Sequence, residues 1–174
     1  MNLSVNSKIF YPVYGAGWII SRKVIDFAGK EQEYLEFKFV ESNLVISTPI
    51  SNLENLGIRK VNDLKVIEKA LQSLKKKSIK KPPTKDYNNF IKLIEELVAS
   101  NNVDDFVTVI RYCRYVKEQR KKEGRLIPTG IINNIKKAFG FLVGEYAINK
   151  DIDYTQAEEL IEKEYDLTID SLLE

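Results

Sequence analysis

Apolar residues change their spacing once along this chain, near Pro49. Before it they alternate with polar ones or run in short β-branched stretches, the mark of strands. Residues 8–12, Lys-Ile-Phe-Tyr-Pro, predict a first strand, with Pro12 at an edge or end because it has no N–H to donate. Residues 16–26 carry Trp18, Ile19, Ile20, Val24 and Ile25 and predict a long strand bent near its middle. Gly29 supplies a turn. Residues 32–40 then set Leu35, Phe37 and Phe39 on one face and Tyr34, Glu36 and Lys38 on the other. After the Ser42-Asn43 turn, Leu44-Val45-Ile46-Ser47-Thr48-Pro49 forms another strand. Strands this short and this closely spaced predict a small antiparallel barrel.

Beyond Pro49 the period lengthens to that of helices. Residues 51–57 predict one helical turn ended by Gly57, and Ile58-Arg59-Lys60 a returning last strand. Asp63 precedes an amphipathic helix marked by Val66, Ile67, Ala70, Leu71 and Leu74. It runs into a lysine-rich stretch and Pro82-Pro83, which stops it. A helix capped by Thr84 or Asp86 reaches Ala99, with Phe90, Ile91, Ile94, Leu97 and Val98 inward. Asn102 caps the next, whose apolar stripe is Val103, Phe106, Val107, Ile110, Cys113 and Val116. Another begins near Thr129 and carries Ile131, Ile132, Ile135, Ala138, Phe139, Leu142 and Tyr146. A last helix starts at Thr155 with Glu158 completing a capping box. The fold class is therefore α+β: a Tudor- or SH3-like barrel over 1–60, a helix and Lys-rich linker over 61–83, and an all-α domain over 84–174.

Composition narrows the function. The chain of 174 residues is 44% apolar and 30% charged, as ordinary globular proteins are. It has no histidine, which removes the commonest general base and metal ligand. Its one cysteine, Cys113, falls on an apolar stripe and reads as core. Glu95-Glu96 and Asp104-Asp105 are adjacent pairs whose members point to different sides of a helix. Gly15-Ala16-Gly17 lacks the third glycine and the helix of a dinucleotide loop. No enzyme activity, cofactor or metal is expected. Neither a leader nor a membrane span is visible, and the expected location is the cytoplasm, at the nucleoid.

The net charge of +2 hides an asymmetry. Lys75, Lys76, Lys77, Lys80, Lys81 and Lys85 crowd one segment that has no acid. Arg111, Arg114, Lys117, Arg120, Lys121, Lys122 and Arg125 form a second set, while the C-terminal stretch is acidic. Such a field orients a protein against a polyanion. The lysine segment is either a solvated linker or a phosphate contact. The arginine set is either a solvated face or a further DNA surface.

The order of several short motifs resembles the bacterial CarD/CdnL family of transcription regulators. In the β part they are Tyr11-Pro12, Gly15, Gly29-Lys30-Glu31, Glu33-Tyr34-Leu35, Leu44-Val45, Pro49 and Glu54-Asn55-Leu56-Gly57-Ile58-Arg59. In the helical part they are Ala99-Ser100, Val103, Val109-Ile110-Arg111 and Leu142-Val143-Gly144-Glu145-Tyr146-Ala147. The resemblance implies a non-catalytic protein whose barrel docks on the RNA polymerase β subunit; independently of it, a monomer is the default expectation. Its helical domain would hold double-stranded promoter DNA and stabilise the open complex. In the family an aromatic wedge, a tryptophan, enters the minor groove; the position matching it is Tyr87. Basic residues usually follow that wedge, but here stand Asn88, Asn89 and Phe90, with Lys92 keeping a matching charge. The positions of the family's polymerase-facing arginines are Ile25 and Ser47, with Lys23 nearby and Val45 on a possible pairing edge. The connection from Lys117 to Thr129 is longer than the family pattern. The candidate DNA contacts are thus Tyr87, Lys92, Arg111, Arg114 and the Lys75–Lys85 cluster. The candidate polymerase contacts are Lys23, Ile25, Val45 and Ser47. A nucleoid-type DNA binder without polymerase docking is the alternative, and a pure protein-interaction module a third reading.

Overall fold

The computed structural model describes residues 3–27, 29–42, 44–75 and 79–174. Among these residues the chain forms five antiparallel strands and then six α-helices. The strands β1 (Lys8–Tyr11), β2 (Gly15–Phe27), β3 (Lys30–Phe39), β4 (Val45–Pro49) and β5 (Arg59–Lys60) lie in the order β4-β3-β2-β1-β5. A 3₁₀ turn at Ile50–Asn52 stands where one helical turn is predicted. The helices are α1 (Leu64–Lys75), α2 (Tyr87–Ala99), α3 (Val103–Lys122), α4 (Thr129–Lys150), α5 (Tyr154–Tyr165) and α6 (Ile169–Leu173). The sheet is open: β4 and β5 are its two ends and do not pair with each other. β5 is two residues long and pairs only with Ile9 and Phe10 of β1.

Period-two patterning decides which way each strand faces. Leu35, Phe37 and Phe39 of β3 are buried, as their alternation predicts. They pack with Ile9, Tyr11 and Ile19 in a small core within the sheet. The predicted bend in β2 is a register slip against β3 between Ile19 and Ser21. β1 is buried on both faces. Ile9 and Tyr11 enter the sheet core, while Phe10 turns the other way into a larger helical core. There its ring meets Phe141 edge-on, with centroids 5.0 Å apart, and Phe106 at 5.7 Å. Gly17 of β2 passes so near β3 that an added Cβ would lie 2.3 Å from the Lys38 carbonyl oxygen. No larger residue fits without moving that backbone.

α4 is the centre of the helical part. Every residue from Ala138 to Ile148 is buried, because α1, α3, α5, α6 and β2 all pack against it. A helix apolar on all sides is an interior one. Its single buried acid, Glu145, joins the two parts of the fold. Arg59 of β5 grips both carboxylate oxygens, at 2.6 and 3.1 Å. The Asn62 backbone N–H donates at 2.6 Å, and the Asn62 side-chain amide also donates to it. Arg59 is held in turn: its Nε donates to the Asn101 carbonyl at 3.0 Å, and its guanidinium lies 4.2 Å from the Phe10 ring centroid.

Two helix starts differ from expectation. α5 is capped by Asp153, not Thr155. Asp153 accepts from the Gln156 N–H at 2.8 Å, and the Gln156 side chain returns the bond to the Asp153 N–H. The Asp-x-x-Gln box precedes the Thr-x-x-Glu one, and the helix is already running when Thr155 is reached. α6, absent from the sequence reading, is closed by a second such box between Thr168 and Ser171. Of the two caps proposed for α2, Asp86 is the one used: its carboxylate accepts from the Asn89 N–H at 2.9 Å.

Two outcomes follow from the interior. Cys113 is wholly buried, and burial pushes its thiol up to about 12. It is expected to be inert to a thiol reagent at pH 8 in the native protein and to react fully in denaturant, read by absorbance. Arg59→Ala leaves the buried Glu145 carboxylate without its cation and is expected to cost about 3–5 kcal/mol in urea unfolding. The double variant Arg59→Ala/Glu145→Ala should lose less than the sum of the two single losses.

Candidate functional site

Pro82-Pro83 ends the segment before α2, and the Asp86 cap makes Tyr87 the first helical residue. The Asp86 N–H itself donates to Thr84 Oγ1 at 3.2 Å, so the approach to the helix is fixed. Tyr87 is half-buried, its ring 6.4 Å from that of Phe90. The Arg120 guanidinium, from the last turns of α3, lies 5.1 Å from the Tyr87 centroid. These side chains line a groove of about 400 Å³ between the start of α2 and the end of α3. Lys81, Lys85, Arg120 and Arg125 are its cations. Its one acid, Glu123, pairs with Arg125 at 3.2 Å.

The other predicted cations go elsewhere. Lys80 is exposed; its backbone N–H donates to the Arg111 carbonyl, and its ammonium lies 5.4 Å from the Tyr112 ring centroid. Lys75, at the end of α1, reaches the Glu164 carbonyl at 3.4 Å. Lys92 is exposed on α2. Lys76 and Lys77 lie outside the described residues. Arg111 is half-buried and donates to the Ser73 carbonyl at 3.0 Å, bracing α1 against α3. Arg114 is 6% exposed, and burial lowers its pKa, an effect partly offset by Glu118. Lys117, also buried, donates to the Leu173 carbonyl. Burial, then the Arg114 and Lys121 charges, push its ammonium below the usual lysine range. Arg111 and Arg114 therefore face protein. Arg120 and Arg125 take the groove in their place, and membership of the second basic set is the only signal of this in the sequence.

The four candidate docking residues meet on the sheet. In the β2–β3–β4 ladder, Lys23 pairs with Tyr34, Ile25 with Gln32, Val45 with Lys38 and Ser47 with Glu36. The β3 partners all have even numbers, so the four lie on one face, opposite Leu35, Phe37 and Phe39. Ile25 is 39% and Val45 49% exposed. Lys23 is tied to Glu36 at 2.8 Å. β4 is an edge strand, and among the described residues β2 has no strand partner on its β1 side beyond Ile19, whose backbone bonds to Ser7 and Asn6 follow the last β1 pair, Lys8–Trp18. Trp18 is half-buried against the helical core.

Residues 3–62 match the family model of the CarD-like/TRCF RID domain. The N-terminal sheet module is a CarD-like domain. The solution structure of the 72-residue N-terminal domain of Myxococcus xanthus CarD is 24% identical, over 34% of this chain and 79% of that one, with a TM-score of 0.30. A CarD-like, RNA polymerase-interacting domain supports a transcription-related function. The last matched residue of the CarD-like domain, Asn62, is one of the groups that hold Glu145 of α4. Among the described residues no helix is long and apolar enough to cross a membrane, and no three His, Cys, Asp or Glu side chains converge as metal ligands.

Arg120 is the contact that fixes the Tyr87 ring. Arg120→Ala is expected to cost about 1 kcal/mol or less in stability, the size of a partly exposed cation–π contact. It should raise the solvent accessibility of Tyr87, read as stronger photo-CIDNP enhancement of that ring.

Proposed function

We propose that this protein is a non-catalytic transcription regulator that joins RNA polymerase to promoter DNA and stabilises the open complex. The CarD-like sheet docks on the β subunit through the face of Lys23, Ile25, Val45 and Ser47. The groove under Tyr87 holds the duplex. The observation that carries the reading is the position of Tyr87: an aromatic ring at the first residue of α2, partly uncovered, with Lys81, Lys85, Arg120 and Arg125 around it. Those cations suit phosphate oxygens on either side of a groove. The ring suits the base step between them, where minor-groove proteins insert apolar side chains. Tyrosine is smaller than tryptophan and carries a hydroxyl, so the wedge is a modest one.

A second reading draws on the docking face. Its one cation among the four residues, Lys23, is already paired with Glu36, and Ile25 and Ser47 carry no charge. A protein that keeps the DNA groove and has lost polymerase docking would look the same there.

Open-complex lifetime on a promoter, with RNA polymerase from the same source, separates these readings. The wild-type protein is expected to lengthen it. Tyr87→Ala should weaken that effect and Tyr87→Trp strengthen it, with both variants still folded at the assay temperature by circular dichroism. Ile25→Glu, on the exposed sheet face, should abolish the effect while leaving duplex binding intact. An unchanged lifetime with the wild-type protein rejects stabilisation; if the protein still binds duplex, the nucleoid-type reading stands.

A further inference from the structure

The connection between α3 and α4 carries a feature that the Tyr87 groove alone does not explain. Leu126 is 91% exposed, more than any other large apolar side chain among the described residues. The loop that presents it is held by backbone bonds. The Gly124 N–H donates to the Lys121 carbonyl at 3.2 Å, and the Arg125 N–H to the Arg120 carbonyl at 2.9 Å. Gly124 takes φ +65°, the left-handed turn that ends α3. Arg120 Nη1 then donates to the Leu126 carbonyl at 3.3 Å. The same guanidinium lies against Tyr87. One side chain thus fixes both the groove's aromatic ring and the loop with the exposed leucine.

The charge around Leu126 is cationic. Lys121, Lys122 and Arg125 stand on the same turn and loop, and the one acid among them, Glu123, is paired with Arg125. An apolar tip on a cationic rim fits a polyanion that also offers an apolar interior. Duplex DNA does so at a base step, where a leucine can enter from the minor groove and partly unstack the bases. We propose that Leu126 is a second apolar wedge, entering the duplex held by the Tyr87 groove. This rests on the DNA-binding reading above.

The test is anisotropy of a labelled duplex containing flexible TA steps, titrated with the full chain at several salt concentrations. Leu126→Ala is expected to bind about tenfold more weakly, the lower end of what burying a leucine supplies. Its salt dependence should match wild type, because no phosphate contact is removed. Its melting temperature should not change, since the side chain touches solvent. Leu126→Phe should retain binding. Wild-type affinity in Leu126→Ala, with weakened binding in Tyr87→Ala, overturns the second wedge and leaves the groove reading standing. A wild-type protein that binds no duplex at low salt overturns both. Loss of binding to anionic phospholipid vesicles in Leu126→Ala, with DNA affinity intact, overturns the wedge in favour of a lipid contact.

Discussion

The ion pair between Arg59 and Glu145 is the contact on which the arrangement of this protein depends. A carboxylate with no solvent exposure is costly unless its charge is met and its oxygens are filled. Here Arg59 and Asn62 do both, from the end of the sheet module and the residues just after it. Because Arg59 also bonds to the Asn101 carbonyl and covers Phe10, one guanidinium touches β1, α4 and the α2–α3 turn. The CarD-like domain and the helices share a joint there whose geometry is set by hydrogen bonds, not by apolar contact alone. Two surfaces carried on either side of such a joint keep a fixed relation to each other.

The cations of α3 are sorted by the same logic of partners. Arg111, Arg114 and Lys117 turn inward, and two of them find backbone carbonyls at the end of another element. Arg120 and Arg125, further along, reach the groove beside Tyr87. A sequence rich in arginine and lysine thus divides into cations that hold the helices together and cations left to face a ligand. The groove's charge comes from the second group together with Lys81 and Lys85 across from it.

Much of this was legible in the sequence. Strand positions followed from period-two alternation, and most helix starts from Asp, Asn or Thr followed by an apolar stripe. Arg59 and Glu145 were both visible within family-like motifs, but nothing in either motif pairs them at a separation of 86 positions. The stripe of α4 gave no sign that the helix is central, because the burial of every residue from Ala138 to Ile148 depends on the elements packed around it. α6 has five residues, too few to show a period. The inward cations were misleading for a physical reason: spacing of three and four gives the same stripe for a solvated face as for one buried against other helices. The exposed leucine of the α3–α4 loop gave no signal either, since one apolar residue among polar ones is unremarkable until its surroundings are known.

The order of synthesis puts the joint in a different light. Arg59 emerges from the ribosome with the sheet complete, while Glu145 is still 86 residues away. At about 5–20 residues per second, that interval is on the order of 4–17 seconds. Through it the nascent sheet holds Phe10 and Ala16 without the helical core that later covers them, and Arg59 is without Glu145. The joint cannot close before Glu145 is made, because it is a long-range contact. A chaperone that shields apolar sheet surface would find its longest opportunity on this protein in those seconds.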